Sequence, residues 1–367
     1  MKQVSKLVLG LIFILMLGIV AACSSGGTTS SGSSQGSTDS AKTETKDTAE
    51  QGEKVVLKLS HQWPKATTEE GDFRSQLAEK FGAEVEKRTN GAVTIQQYPA
   101  SSLVKATDQY DAMFKGALDM SVFPFDYAGG KIPQFGITLM PAMVKNHQQA
   151  IAWENAEIGK MIEEIAEENG MKILVWVWNA GAIGSKGDPV VSPSDVRSGM
   201  QIRAAGNLVE EMLASAGAGI ASMASSEIYS ALQTNILDAA VTSNSSHGSY
   251  KLYEQIDSFT TSLENTFWFM FEPLVISTKS WEKLTPEQQT IFEEVAAELQ
   301  PWAYQASEDD DIAVAELFKE KGINVVDMDD ASYQEWVELS KPIWEGFAEK
   351  VDRGAELLEA AKAVQEQ

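Results

Sequence analysis

Residues 199–241 read GMQIRAAGNLVEEMLASAGAGIASMASSEIYSALQTNILDAAV. In this stretch, strand-like segments alternate with helix-like segments. The short apolar runs at 200–204 and 239–241 are typical of strands. Between them, apolar residues recur at helical spacing over 208–215 and 226–234. A strand, two helices and a returning strand predict an α/β fold with largely parallel sheets.

The same alternation extends to both sides of this stretch. Towards the amino terminus it predicts strands over 55–60, 93–95, 118–123 and 173–178, and helices over 70–88, 107–115 and 148–168. Towards the carboxyl terminus, 268–276 is predicted to be one long strand. Thr285 is predicted to cap a helix that has Pro286 at its first position and continues to 321, with a kink at Pro301. A helix of this length would brace two lobes.

The composition is that of a globular and strongly acidic protein. Of the 367 residues, 43% are hydrophobic and 22% are charged, and the formal net charge is −24 at pH 7. This excess of negative charge argues against nucleic acid or an anionic bilayer as a direct partner, because both would repel it. Cys23 is the only cysteine, so the sequence excludes an internal disulfide.

The first residues have the features of a lipoprotein signal. An apolar run, 7–22, follows two lysines and ends in Val20-Ala21-Ala22-Cys23, the pattern of a lipobox. The alternative, a transmembrane helix, needs about 18 to 20 apolar residues, which is more than this run has. We expect residues 1–22 to be removed, Cys23 to be lipidated, and 23–53, rich in Ser, Gly and Thr, to form a flexible tether. The body would then lie outside the cytoplasm, anchored to the outer face of the membrane, in a cell with a single membrane.

Four segments share their order and pattern with a known family. They are GMQIRAAGN at 199–207, MASSEIYSALQT at 223–234 followed by Leu237-Asp238, GALDM at 116–120, and WEKLTPEQQ at 281–289. In these segments the chain resembles the solute-binding proteins of TRAP transporters of the dicarboxylate (DctP) type, and the match extends over 55–346. The resemblance implies a two-lobed periplasmic-binding-protein-like fold with a hinge. Lobe I would comprise 54–180 with 268–305, and lobe II would comprise 181–267 with 306–367.

The resemblance also implies a function and a central residue. The protein would be a monomer that closes over one small organic acid and delivers it to the integral membrane subunits of a TRAP permease, with no cofactor. The ligand-binding arginine of the family falls on Arg203, and a guanidinium presents a planar fork that binds a carboxylate through two hydrogen bonds. The structural alternative is that Arg203 pairs with a nearby Glu or Asp.

The sequence departs from the family pattern at three ligand-binding positions. The second arginine of the family is missing from the turn Gly181-Ala182-Ile183, where Ile183 takes its place. Ser225 stands where relatives have an aromatic residue. The asparagine that follows Asp-Gly in the family is replaced by Thr242, with Asn244 shortly after. These losses favour a ligand that has a single acidic group held by Arg203.

Other residues could form the second half of the pocket. They follow predicted strands or lie at the predicted crossing between lobes: Gln62, Trp63, Lys105, Phe125, Tyr127, Trp178 and Asn179. Each has an alternative role, because aromatic residues dominate cores as well as pockets. Lys105 aligns near a ligand-facing loop of the family and could supply the missing second cation, although a lone lysine is more often solvated than ligand-bound.

Enzymatic and metal-binding functions find little support. Ser102-Leu103-Val104-Lys105 matches the Ser-x-x-Lys of serine enzymes that recognise penicillin, but Ser-Asp-Asn and Lys-Thr-Gly do not occur in the sequence. The three histidines are far apart, and no metal-binding motif is present. We therefore predict no catalytic residue and no metal. A binding protein that serves a sensor kinase or an ATP-driven importer remains an alternative within the same fold.

Overall fold

The structure is a computed structural model that describes residues 54–365. The predictions on the signal peptide (1–22), the tether (23–53) and the lipidation of Cys23 concern residues outside this range. Within the described range, no helix combines the length and the apolar character needed to cross a membrane.

The described residues alternate strands and helices along most of the chain. The strands are β1 (Val55–Ser60), β2 (Val93–Tyr98), β3 (Met120–Val122), β4 (Met171–Val175), β5 (Trp178–Ser185), β6 (Gln201–Ala204), β7 (Gly219–Ser222), β8 (Ala239–Ser243), β9 (Ser258–Thr261), β10 (Phe269–Phe271), β11 (Leu274–Ser277) and β12 (Asn324–Asp327). The α-helices are α1 (Phe73–Arg88), α2 (Gln109–Phe114), α3 (His147–Glu154), α4 (Glu157–Glu168), α5 (Asn207–Ser215), α6 (Ile228–Gln233), α7 (Asn244–Ser249), α8 (Thr278–Trp281), α9 (Pro286–Glu320), α10 (Asp330–Lys350) and α11 (Gly354–Gln365).

The strands form two mixed sheets, and the predicted α/β fold is confirmed. The first sheet has the order β2-β1-β3-β11-β4, and the second has the order β12-β9-β5-β8-β6-β7 with β10 paired to β5. Parallel pairs join β1 to β2 and β3 in the first sheet, and β6 to β7 and β8 in the second. We call the elements packed on each sheet the first and the second lobe. The predicted lobe boundaries at residues 180, 267 and 305 stay predictions.

The chain passes between the two sheets within segments that the sequence predicts as single strands, and those two predictions are wrong. The predicted strand 173–178 is divided, because β4 ends at Val175 in the first sheet and β5 begins at Trp178 in the second. The predicted strand 268–276 is likewise divided into β10 and β11. The break falls at Glu272-Pro273, since proline has no N–H to donate to a sheet ladder.

The predicted helix 148–168 is also divided, into α3 and α4. The carbonyl oxygen of Trp153, near the end of α3, lies against the first turn of α4. A Cβ atom built on Gly159 would lie 2.3 Å from that oxygen. Glycine therefore permits the close approach of the two helices at this break.

Helix α9 runs without interruption for 35 residues and includes Pro301. Its start confirms the predicted capping box: Thr285 Oγ1 accepts from the backbone N–H of Gln288, and Gln288 Oε1 accepts from that of Thr285. The helix packs against α1 and β4 of the first lobe and against α7, β5, β9 and β12 of the second. It therefore braces both lobes, as predicted.

Candidate ligand-binding site

Residues that follow the carboxyl ends of parallel strands in both sheets meet in one crevice. In the first lobe these segments follow β1 and β3, and in the second they follow β6, β7 and β8. Tyr127, after β3, contacts Ser225, after β7, across the crevice. Open α/β sheets bind ligands in the crevice outside the carboxyl ends of their strands. The geometry therefore identifies this crevice as the candidate site.

Arg203, on β6, is a buried cation that pairs with no carboxylate of the described residues. The residue is 1% exposed. Its Nε and Nη2 atoms donate to the carbonyl oxygen of Met223 at 3.0 and 2.9 Å, and Nη1 donates to that of Val241 at 2.9 Å. Among residues 54–365 no carboxylate oxygen lies within 4.0 Å of its nitrogens. The structural alternative, an ion pair with a nearby acid, is not found.

The outer end of the Arg203 fork retains donor capacity. A guanidinium has five N–H groups, and the carbonyl contacts leave one N–H on Nη1 without an acceptor in the described part of the chain. The remaining N–H of Nη2 faces Tyr127 Oη at a long 3.4 Å. The two terminal nitrogens of the guanidinium therefore retain donor capacity. A carboxylate placed there would accept from both nitrogens and supply the missing negative charge.

Tyr127 bridges the two lobes beside this fork. Its Oη accepts from the backbone N–H of Ser225 at 3.2 Å and donates to Gln62 Oε1 at 3.5 Å. Tyr250 makes a second bridge, from its Oη to the carbonyl oxygen of Gln62 at 3.0 Å. The structure thus brings together four predicted residues, namely Gln62, Tyr127, Arg203 and Ser225. Tyr250 was not predicted, because no motif surrounds it in the sequence.

A groove of about 390 Å³ opens beside Tyr127. Its lining includes Ala204, Met223 and three acidic residues, Asp126, Glu210 and Glu227. Burial raises the pKa of Asp126 to about 7, while the Arg203 charge opposes this shift and the Glu210 charge adds to it. The groove is therefore lined by carboxyl groups, and Arg203 lies behind it, in contact with two lining residues, Tyr127 and Met223.

Arg74, on α1, forms a second buried cluster that crosses between the lobes. Its guanidinium pairs with Asp72 at 2.6 Å and with Glu272 at 2.7 Å. It also donates to Ser243 Oγ at 3.0 Å and Ser246 Oγ at 3.2 Å in the second lobe. Unlike Arg203, this arginine has its counter-charges within the described part of the chain. Sequence reasoning missed the cluster, because its members are far apart along the chain.

Other predicted site residues are engaged away from Arg203. Trp63 lies under the Arg74 guanidinium, with 4.0 Å between the guanidinium carbon and the ring centre. Asn179 donates to Glu272 Oε2 and accepts from Ser245 Oγ. Asn244 donates to Asp311 Oδ1 at 2.7 Å on α9. Each of these contacts holds the side chain in a cluster of charged and polar groups that does not include Arg203.

The remaining predicted residues are divided between the core and the surface. Phe125 packs on Phe135 at a ring-centre distance of 4.3 Å, and Trp178 packs on Phe271 at 4.9 Å, so both take the core role that was their alternative. Lys105 is exposed, and none of the ion pairs in the described part of the chain includes it. The predicted lysine contact therefore has no geometric support.

The register of the second sheet shows which residue of the turn 181–183 faces Arg203, where a second arginine of the family would add its charge to the site. Residue 182 pairs with Thr242, and Arg203 pairs with Ala240, so Ala182 and Thr242 lie on the Arg203 face of the second sheet. Ile183 pairs with Val241 on the opposite face. A cation at 183 would therefore point away from Arg203. The position at which a second cation would face Arg203 is therefore 182, which is occupied by Ala182.

Asp310, on α9, leads to a prediction about pH and stability. It lines a separate cavity of about 290 Å³, and its Oδ2 atom is buried without a hydrogen-bond partner in the described range. Burial raises its pKa from an ordinary 3.8 to about 7. Between these pH values the folded protein holds a proton that the unfolded chain has released, so this group makes stability fall as pH rises. Asp310→Asn should remove that fall.

The expected result is a gain in the free energy of unfolding of Asp310→Asn relative to the parent that is larger at pH 8 than at pH 5 by about 1 kcal/mol or more. Urea unfolding at the two pH values measures it. Asp309→Asn, which neutralises the exposed neighbour, is the control and should show no such difference. Burial also lowers the pKa of His61 and His247 to about 4. These histidines contribute equally to the pH dependence of stability in the parent and in both variants, so they cancel in the comparison. Equal pH profiles for the two variants would contradict the prediction.

The Ser-x-x-Lys match lies on the surface of the molecule. Ser102 and Lys105, the residues of the Ser-x-x-Lys match, are both exposed. Across residues 54–365, no group of three or more His, Cys, Asp or Glu side chains is placed to hold a metal ion.

Comparisons with known proteins agree with this architecture. The family model for bacterial extracellular solute-binding protein, family 7 (DctP), matches residues 59–350. A solute-binding protein from Albidiferax ferrireducens is 41% identical over 308 residues, which cover 84% of this chain and 91% of the relative. The C4-dicarboxylate-binding periplasmic protein of Rhodobacter capsulatus is 27% identical over 318 residues, 85% of this chain and 91% of that protein.

A solved structure gives the same result in three dimensions. The crystal structure of a TRAP periplasmic solute-binding protein from Rhodoferax ferrireducens, with bound malonate, superimposes with a TM-score of 0.82 and 40% sequence identity. The match covers 84% of this chain and 98% of that one. Together with the family match over most of its length, this similarity shows that the chain belongs to the bacterial extracellular solute-binding protein family 7, the DctP family of TRAP solute-binding proteins.

Proposed function

We propose that the protein captures a small organic acid in the crevice between its lobes and delivers it to a TRAP-type permease. The observation that carries this proposal is Arg203, a fully buried guanidinium that has no carboxylate partner among residues 54–365 and whose terminal nitrogens retain donor capacity. A buried unpaired cation is costly, and a ligand carboxylate would remove that cost. The malonate bound to the Rhodoferax relative supports the same chemistry.

Around the proposed carboxylate position, nearby residues would complete the pocket. Ser225 and Thr242 are buried beside Arg203, on the loop after β7 and on the same face of the sheet. Tyr127 and Gln62 would contact the ligand from the first lobe. A ligand that touches both lobes stabilises the closed form more than the open form, and that difference drives closure.

The proposed setting is the outer face of the cell membrane. The lipobox that ends at Cys23 would supply a lipid anchor, and residues 23–53 would supply the tether. The permease would then receive the closed, loaded protein. The same binding protein could instead present its ligand to a sensor kinase or an ATP-driven importer, and a permease gene beside this one would favour the TRAP assignment.

The test compares ligand binding by the parent with that by Arg203→Gln and Arg197→Gln. Arg197 is exposed on the same lobe and serves as the matched control. A thermal-shift screen of the purified protein with small organic acids and their neutral amides should identify acids that stabilise it, by about 2.7 kcal/mol at a hundred times Kd. Charged hydrogen bonds contribute about 1.5–3 kcal/mol each, so Arg203→Gln should weaken binding at least tenfold while Arg197→Gln binds as the parent does.

Two results would count against the proposal. One is that neutral amides stabilise the protein as well as the acids do. The other is that Arg203→Gln binds acids with unchanged affinity in titration calorimetry.

A further inference from the structure

We infer that the ligand is a monocarboxylate whose other end donates hydrogen bonds or carries a positive charge, and that dicarboxylates are disfavoured. The inference rests on the proposed function, since it takes Arg203 as the site of the carboxylate. It concerns the groove beside Tyr127, which would receive the rest of the ligand.

The charges along the groove are of one sign. Its lining includes the carboxyl groups of Asp126, Glu210 and Glu227 and no Lys or Arg side chain. Asp126 and Glu210 are half-buried rather than fully solvated. Solvent therefore screens their charges less than it would on an open surface. A second carboxylate on the ligand would meet like charges and no cation.

The hydrogen-bonding groups of the groove point to the same conclusion. Glu227 Oε2 is engaged, because it accepts from the backbone N–H of Ala224 at 3.1 Å. The carboxyl groups of Asp126 and Glu210 make no hydrogen bond within residues 54–365. The groove thus offers free acceptors, and a ligand satisfies them with hydroxyl, amide or ammonium donors.

Packing fixes the position of Asp126 at the groove wall. Gly206, which has a φ of 91°, lies directly against it: a Cβ atom at that residue would be 3.0 Å from Asp126 Oδ1 and 2.7 Å from Leu139 Cδ2. Arg203 Nη2 contacts Tyr127 Oη and the carbonyl oxygen of Met223, and both residues line the same groove as Asp126. The same ligand can therefore meet Arg203 with its carboxylate and Asp126 with a donor.

The experiment compares acids of equal length that differ at one end. Titration calorimetry at pH 7.5 would use malonate against 3-hydroxypropanoate and 3-aminopropanoate, succinate against 4-hydroxybutanoate and 4-aminobutanoate, and phthalate against 2-(hydroxymethyl)benzoate. We expect the hydroxy or amino acid of at least one set to bind at least tenfold more tightly than its dicarboxylate. Binding should be lost in Arg203→Gln.

Two groove variants and one control test the cause of the preference. Asp126→Asn and Glu210→Gln should each reduce the difference in affinity between the members of a set. The dicarboxylate should bind more tightly, and the amino acid should bind more weakly. Glu211→Gln removes a charge from the exposed neighbour of Glu210 on α5, outside the groove lining, and should leave that difference unchanged.

The outcomes separate this inference from the proposed function. Dicarboxylates that bind as tightly as their partners, in a manner that depends on Arg203, would overturn the inference and leave the proposed function intact. A preference that survives both groove variants would also overturn it. Absence of any Arg203-dependent binding in all sets would overturn both.

Discussion

Replacement of Arg74 by methionine should lower the free energy of unfolding by about 3–5 kcal/mol, the cost of leaving buried charges without their partner. Asp72 and Glu272 both pair with this guanidinium, and its side chain is 0% exposed. Methionine has a comparable length and fills much of the same space, so the loss reports the charges more than a cavity. Urea unfolding at pH 7.5 measures the effect.

Arg88 supplies a matched control on the same helix. It pairs with Glu84 and Glu298, but its side chain is 27% exposed and those of its partners are 36% and 62% exposed. Ion pairs of this kind contribute about 0–1 kcal/mol. Arg88→Met should therefore cost far less than Arg74→Met. If the two variants differ by less than about 1 kcal/mol, the Arg74 cluster does not hold the lobes as described.

A further variant separates the guanidinium from its hydrogen bonds across the crevice. Ser243 and Ser246 accept from Arg74, and Ser246→Ala removes one acceptor while the ion pairs remain. A hydrogen bond to a charged group contributes about 1.5–3 kcal/mol, and this contact is long at 3.2 Å, so its contribution should be near the lower limit of about 1.5 kcal/mol. We expect the Ser246→Ala loss to be close to that value, and a loss as large as that of Arg74→Met would shift the explanation from charge to the serine contacts.

The sequence predicts the elements of this fold better than it predicts the point at which the chain changes sheets. Around β4 and β5, the residues Val175-Trp176-Val177-Trp178 are all apolar and buried. No glycine, proline or polar residue marks the end of one strand and the start of the next. The division arises because neighbouring strands of two separate sheets pair with the two halves, and such pairing is not visible in a local pattern.

The candidate site shows the same limit. Arg203 could be predicted, since a charge within a short apolar strand is unusual and the family pattern includes it. Tyr127 could be predicted because it follows a strand of the first sheet. The Arg74 cluster could not, because Glu272 and Ser243 lie 198 and 169 residues away from Arg74 in the chain. Only the packing of the two lobes brings these residues together.

A second large effect is expected for Gly181→Ala, at the start of the second sheet. A Cβ atom on Gly181 would lie 2.1 Å from Trp268 Cε3 and 2.7 Å from Cδ2. The indole is 1% exposed, and the backbone N–H of Gly181 donates to the Trp268 carbonyl oxygen at 2.9 Å. This backbone hydrogen bond holds the two residues together, and the buried indole can move aside only by displacing the side chains packed around it. Overpacking of a buried site costs about 1–3 kcal/mol, occasionally more, and we expect the upper end.

The matched control is Gly130→Ala. A Cβ atom on Gly130 would have no atom within 4 Å, and we expect urea unfolding to detect a change of less than about 0.5 kcal/mol. The cause can be tested with Trp268→Leu, which removes the ring that a Cβ on Gly181 would strike. Trp268→Leu alone leaves a cavity, and the new methyl group of Gly181→Ala would occupy part of it. The double variant should therefore be more stable than the sum of the two single losses, whereas additive losses would mean that the clash with Trp268 is not the cause.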